Sequence, residues 1–541
     1  MTNLLRPSSL ALLLTTLAAG VGCGSADDGS GTTPQTGDED DLTSVTARER
    51  ALTFDGYVYL PTTATDSTIL AAVKRQNKSA FGALRNAEIS ANNRELAEID
   101  AKAFVKETVS VVDPSNPAAA KKPMLRVRYR YTDRALVPVS MAKRSAVGMA
   151  VLHGDYQAQS KRILQECTEN SAHDQEFEGS IWYVFNPTLS GCQEAMSAEQ
   201  QKIDEARAKL ANPDTEVVAA ETTRLYLPIT AKLESTKTST AKTYPEYDRL
   251  WSGGVEAGKL KVAIVSGVMA DWAAGDKPEL ANDIGYHMFY QMVDEIGRVV
   301  PGLQLTGTDG ADLTTFTVNG KTVKGVTWAD LTKWELSGSG WPAEIASAAD
   351  RDALKKLVAN TMAHHWITFE RKASVKLGTD AAKDVTVVIN TYYGAETDDA
   401  PHRKALSSND VVVYNGHSYI GWGPLDPSRY SASTFPKSYQ LFFFNSCVSF
   451  NYYEKDFFKM KGGTENLDMI TNGLESPVYG SGPVVGRMVG AIVSGKAVSY
   501  KDILVKGAQY TEHGQDALRV VDGELDNTYK PSKKALTVTF K

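Results

Sequence analysis

Residues 410–420 (DVVVYNGHSYI) and 439–450 (YQLFFFNSCVSF) are apolar runs of β-branched and aromatic residues that stop abruptly at small polar ones. Runs this short and this apolar read as strands buried on both faces of a parallel sheet. Residues 261–267 (KVAIVSG), 385–392 (VTVVINTY) and 469–474 (MITNGL) have the same character. Between the first two of these, Ile284, Met288, Met292 and Ile296 place one apolar stripe on a helix over 284–299. Residues 484–504 predict a long closing helix. Together these elements predict an α/β domain over 255–541, a mostly parallel sheet with helices on both faces. An insertion at about 303–380 interrupts it. There, Asn319-Gly320 predicts a type I′ hairpin, and the period of Leu354, Val358, Met362, Trp366 and Phe369 predicts a helix over 350–372.

The pattern changes in the N-terminal half. Residues 125–131 (LRVRYRY) alternate strictly, with Arg126, Arg128 and Arg130 on one face, as an antiparallel strand with one wet face does. Residues 181–185 (IWYVF) read as another strand, and 197–211 as a helix with Ser197 and Gln200 in capping-box register. This predicts an α+β domain over 49–234, joined to the α/β domain by a polar linker at 235–254.

The first residues read as a targeting segment. Arg6 precedes the apolar run 10–21 (LALLLTTLAAGV), which is too short to span a bilayer, so 1–22 reads as a signal peptide. Gly20-Val21-Gly22-Cys23 resembles a bacterial lipoprotein box, which implies lipidation of Cys23 and a membrane-anchored envelope protein; an ordinary cleaved secretory signal is the alternative. Residues 23–48 are Gly-, Ser- and Asp-rich and read as an acidic flexible tether. The chain has 541 residues, a net charge of −7 and four cysteines. That balance offers no surface for nucleic acid. In an oxidising envelope Cys167 and Cys192 can pair, which leaves Cys447 as a free thiol.

His417 and Cys447 sit at the carboxyl ends of the first two apolar runs, where ligands and catalytic groups of parallel sheets collect. A thiol and an imidazole at one edge are the parts of a nucleophilic dyad, with His as base or as ion-pair partner. Gly416-His417-Ser418, followed by Asn445-Ser446-Cys447-Val448-Ser449, resembles the histidine and cysteine motifs of the caspase–gingipain–legumain group of cysteine peptidases. The resemblance implies a caspase-like fold for the C-terminal half and peptide hydrolysis through a thioester on Cys447. It also implies an oxyanion hole from the backbone N–H groups of Ser418 and Cys447. The group carries Gly where this chain has Ser418. Protein or peptide is then the substrate. By the same resemblance, the residue before the cut enters a pocket near the first core strand and the strand after the cysteine. Asp271, Asp276, Asp283, Asp468 and Glu475 fall there, which predicts cleavage after basic residues; solvated loop charges are the alternative.

Two other functions fit the same residues. A catalytically inactive relative would bind a peptide or a partner protein at this edge. Alternatively, Gly416-His417-Ser418 is the first half of an α/β-hydrolase elbow, with Ser418 as nucleophile and His513 as base, although Ile420 stands where the elbow needs Gly. No H-E-x-x-H, paired C-x-x-C or EF-hand spacing occurs, so no metal or other cofactor is implied.

Overall fold

Five parallel strands form the centre of the larger sheet in the computed structural model: β1 (Lys259–Gly267), β2 (Lys383–Gly394), β3 (Val411–Asn415), β4 (Gln440–Asn445) and β5 (Leu467–Asn472). The model describes residues 42–541 except 93, 95, 117–119, 237–241, 270–278, 395–397, 479 and 509–515. Cys23, the signal peptide, most of the tether, Asp271, Asp276 and His513 lie outside the described residues.

The strand order is β2-β1-β3-β4-β5. Antiparallel strands extend it on both sides. β6 (Arg519–Asp522) pairs with β5, and Trp366–Leu377 pairs with β2. All residues of β3, β4 and β5 are buried, their apolar runs together with the polar Gln440, Asp468 and Thr471. Alternate side chains feed two cores. Val262, Val413, Leu441 and Phe443 pack with α1 (Ile284–Val299), α4 (Ser481–Val493) and α5 (Tyr500–Ala508). Ala263, Val412, Phe442 and Phe444 pack with α2 (Ala400–Ser408) and α3 (Ser449–Lys461). The domain is therefore α/β with helices on both faces.

Several local expectations are corrected. The helix predicted for 350–372 is a helix at Ala348–Met362 followed by a strand at Trp366–Leu377, and His364 turns the chain with φ 65°. The predicted closing helix is two, α4 and α5, separated by Gly495 at φ 75°. Residues 181–185 are buried turns, not a strand. The helix expected at 197–211 runs Ser190–Arg207, so Ser197 lies inside it and does not cap it. The Asn319-Gly320 turn does join two strands with both residues at positive φ.

In the N-terminal lobe a seven-stranded sheet contains the strand Lys122–Pro138. Its buried face carries Val127, Tyr129 and Tyr131. On the other face Arg126 and Arg130 are paired with Glu107 and Asp55. Cys167 and Cys192 are disulfide-bonded, and Cys447 is a free cysteine. The segment read as tether already holds structure from residue 42 onward: Thr43–Ser44 joins the larger sheet beside β6. The two lobes form one compact unit.

Candidate active site at the carboxyl edge of the parallel sheet

The order β2-β1-β3 reverses the direction of winding between β1 and β3, and crevices form at the carboxyl ends of strands at such a switch point. β3 and β4 both end there, in register: Asn415 lies opposite Asn445. His417 and Cys447 each follow two residues later. Adjacent parallel strands are about 4.8 Å apart, so the topology brings residues 417 and 447 to neighbouring turns on one edge; the His417 ring packs against Tyr419, and Glu475, Ser476 and Arg85 act on the Cys447 thiol.

Both turns are strained. Ile420 has φ 56° and ψ 35°, and Val448 has φ 54° and ψ 27°. β-Branched residues avoid this region, at a cost of about 1 kcal/mol or more each, and such outliers gather at functional sites. The histidine turn is held by its own carbonyls: Tyr414 donates its hydroxyl to the His417 carbonyl at 2.8 Å, and Gly421 and Gly423 donate N–H to the Ser418 carbonyl. The cysteine turn is held by Val448 N–H to the Leu474 carbonyl and by Ser449, whose hydroxyl donates to the Phe444 carbonyl and accepts from Asn472 N–H. Among the described residues the backbone N–H groups of Ser418 and Cys447 donate to no carbonyl or side-chain acceptor of another residue. After Ser418 the chain makes only a short 3-10 turn, Tyr419–Gly421, not the helix an α/β-hydrolase elbow requires.

An asparagine network locks the three strand ends. Asn445 donates its amide to Asn415 Oδ1 and to the Ser481 hydroxyl, both at 2.7 Å. Its own Oδ1 accepts from Asn472 at 3.1 Å, Ser476 at 3.1 Å and Arg519 at 2.9 Å. The signal was present in the sequence, since VVVYN, FFFN and MITN each close on Asn. Arg519 was not foreseeable, because it arrives from β6.

The N-terminal lobe covers the edge. Arg94 makes a buried ion pair with Asp426 at 2.7 Å and lies over the Trp422 ring; Asn451 of α3 donates to Ser90 and to the Ala91 carbonyl. Nearest the thiol, Arg85 pairs with Glu475 at 2.7 Å and lies over the Tyr183 ring. Burial pushes the Cys447 thiol up to about 12; the Glu475 carboxylate adds to this, while the Ser476 N–H and the Arg85 charge oppose it. Cys447 keeps some exposed surface, but its sulfur sits in low-dielectric surroundings. Burial therefore favours the protonated thiol over a standing thiolate–imidazolium pair. Iodoacetamide alkylation of Cys447 should therefore rise about tenfold per pH unit from pH 7 to 10. A plateau in rate near pH 7 would show an ion pair instead.

Of the carboxylates expected to line a basic-residue pocket, Asp283, Asp468 and Glu475 are among the described residues, and these three do not come together. Asp283 is buried and caps α1: it accepts from Tyr286 N–H, Met269 N–H and the Tyr393 hydroxyl. Asp468 is fully buried near the start of β5, the end of the strand opposite the site. There it accepts from the hydroxyls of Tyr439 and Tyr500 and from Asn527. Glu475 does lie beside Cys447, but its charge is met by Arg85.

Asp468 has a consequence for stability. Burial pushes its carboxyl up to about 7, against the hydrogen bonds from Tyr439, Tyr500 and Asn527. The folded protein thus holds a proton that the unfolded chain releases near pH 4. Stability from this group is full below pH 4 and is lost as pH rises through 7, by up to about 4 kcal/mol. Asp468→Asn should flatten the difference in unfolding free energy between pH 5 and pH 8. Denaturant titrations at both values, with parallel profiles for variant and wild type, would refute this.

Among the described residues no cluster of three or more His, Cys, Asp or Glu side chains could hold a metal, and no helix is long and apolar enough to cross a membrane. No family model, no curated protein and no solved structure matches this chain.

Proposed function

We propose that the chain is a cysteine-type endopeptidase with a caspase-like α/β domain, carried on an exported envelope lipoprotein. The observation that carries the reading is the in-register arrival of His417 and Cys447 at adjacent strand ends beside the switch point. The thiol attacks the scissile carbonyl while His417 takes its proton, and the same imidazole returns a proton to the leaving amine. The backbone N–H groups of Ser418 and of Cys447, the latter turned to its own thiol before attack, receive the developing oxyanion, each worth about 3 kcal/mol where such donors have been removed. Water then cleaves the thioester. Cleavage of a peptide library by the wild-type chain, absent in Cys447→Ala, tests the reading; no cleavage of any peptide or ester by either would sink it.

One observation favours a second reading. Burial pushes the Cys447 thiol up, with the charges of Arg85 and Glu475 close by. An inactive relative that binds a peptide along this edge needs no ionised thiol. Peptide binding that is equally tight in wild type and Cys447→Ala, without turnover, would support it. The anchor is part of the proposal: the mature N-terminal peptide should carry a lipid on Cys23, and an unmodified Cys23 would remove it.

A further inference from the structure

The chain leaves His417 through a loop bent against its own preference. Tyr419 and Ile420 stand at φ 49° and 56°, two successive non-glycine residues in the left-handed region, and Gly421 follows at φ 81°. The bend sorts the side chains. Ile420 packs against the same core as Cys447. Tyr419 and Trp422 stay 40 % and 60 % exposed, and among the described residues they are the only exposed aromatic side chains. Single apolar residues on a surface are ordinary, but two aromatic rings three residues apart on a strained loop are not.

The loop is also held still. Ser418 offers its carbonyl to the N–H groups of Gly421 and Gly423, and Tyr430 donates its hydroxyl to the Pro424 carbonyl. Arg94 of the N-terminal lobe lies 4.6 Å from the centre of the Trp422 ring. A Cβ at Gly421 would stand 2.8 Å from Arg94 and 3.0 Å from Tyr452 of α3, so glycine is what lets these three segments close on one another. Arg94 is already neutralised by Asp426 at 2.7 Å, and both side chains are under a tenth exposed. The rings therefore form a surface that offers little to a charged group. A flat apolar group buries area there against partners that lose little freedom on binding.

The place of these rings decides which part of a peptide meets them. The Tyr419 ring lies 5.7 Å from the His417 ring, centre to centre. The groups that act on the Cys447 thiol are others, Glu475, Ser476 and Arg85. In the reaction proposed above the imidazole hands a proton to the leaving amine, so the half of the peptide beyond the cut departs past His417. An extended residue spans about 3.3 Å, which makes the distance from His417 to Tyr419 about one to two residues.

We propose that Tyr419 and Trp422 form an aromatic platform for the leaving half of the substrate, which seats a large apolar or aromatic side chain one or two residues after the cut. The position relative to the cut rests on the peptidase reading; the platform itself needs only a peptide bound along this edge.

Two measurements on the full chain test it. In the first, a random peptide library is digested and the cut sites are mapped by mass spectrometry. Phe, Tyr, Trp, Leu or Met should be enriched about fivefold or more at the first or second position after the cut. Trp422→Ala should bring the enrichment below about twofold, whereas Trp422→Phe, which keeps a flat ring, should retain at least half of it. Tyr419→Asn, which suits left-handed backbone, should lower it as Trp422→Ala does and keeps the test open if that variant fails to fold. In the second, blocked hexapeptide pools with Phe, Ala, Lys or Glu fixed at the fourth position are titrated onto Cys447→Ala by calorimetry. The Phe pool should bind about fivefold tighter than the others, and adding Trp422→Ala should abolish the difference. Cut sites with no preference after the bond, with a charged preference, or with an apolar preference that survives both Trp422→Ala and Tyr419→Asn would overturn the platform and leave the peptidase reading standing. No cut sites, with Phe-pool binding that needs Trp422, would sink the peptidase reading and keep the platform as a binding surface. No cut sites and no preference for the Phe pool would overturn both.

Discussion

Cys447→Ala should lower peptide hydrolysis by on the order of 10⁴-fold or more while the far-UV spectrum and melting temperature stay near wild type. A nucleophile that acts with its base as a unit loses nearly all chemistry when it is deleted. Loss of one sulfur at the end of β4 removes little packing, because the turn is held by Val448 N–H and by the Ser449 hydroxyl, neither of which involves the thiol. Ser418→Ala is the matched control. What Ser418 offers the reaction is its backbone N–H, which alanine keeps, so activity should remain within about tenfold of wild type. A dead Ser418→Ala together with an active Cys447→Ala would transfer the reaction to the serine.

The second large effect is structural. Arg134, on the N-terminal lobe's strand Lys122–Pro138, meets three carboxylates at the lobe interface: Glu49 at 2.6 Å, Asp522 at 3.5 Å and Glu454 at 3.7 Å. Its guanidinium also lies over the Phe450 ring. Glu454 lies on α3, the helix that begins two residues after Cys447, and Asp522 lies on β6. Burial holds Glu454 well above the usual carboxylate range, and Asp522 adds to this while Arg134 opposes it. Arg134→Met keeps much of the apolar stem and deletes the charge, leaving the carboxylates uncompensated. Breaking a buried ion pair from one side costs about 3–5 kcal/mol, and denaturant unfolding near pH 8 should show a loss of that order. The sign with pH follows from the raised carboxyl. As pH falls, the raised Glu454 carboxyl takes up its proton and the missing cation matters less, so the loss should shrink by pH 5. A loss under 1 kcal/mol at pH 8, or one that grows on acidification, would contradict this account.

The central sheet was legible because its strands carry short apolar runs that end on polar stops. That pattern placed β1 and β2 to within about two residues, α1 at Ile284–Val299, and His417 and Cys447 at one edge. Periodicity failed where short apolar segments of different type adjoin. Trp366 and Phe369 continue the stripe of Leu354 and Val358 by spacing, yet they belong to a strand that tertiary pairing with β2 recruits. The run at 181–185 is apolar enough for a strand, but it is taken up by buried turns in which the Trp182 carbonyl accepts Gly82 N–H from the neighbouring helix. The pocket was misread for a different reason. Loop proximity in sequence says nothing about which end of a strand a carboxylate occupies, so Asp468 looked like a site residue although it lies near the start of β5. Nor does sequence reveal a partner from the other lobe. Arg85, which pairs with Glu475, comes from the other lobe, and both charges act on the thiol.

The most direct measurement on the central claim is labelling of the full chain by an irreversible electrophilic peptide, with the modified residue mapped by mass spectrometry. The account predicts one adduct, on the peptide that contains Cys447. His417→Ala should slow it at least a hundredfold while leaving iodoacetamide alkylation of the same thiol unchanged, because only the peptide-directed reaction uses the imidazole as base. An adduct on Ser418, no adduct at all, or labelling of Cys447 that is indifferent to His417→Ala would contradict it.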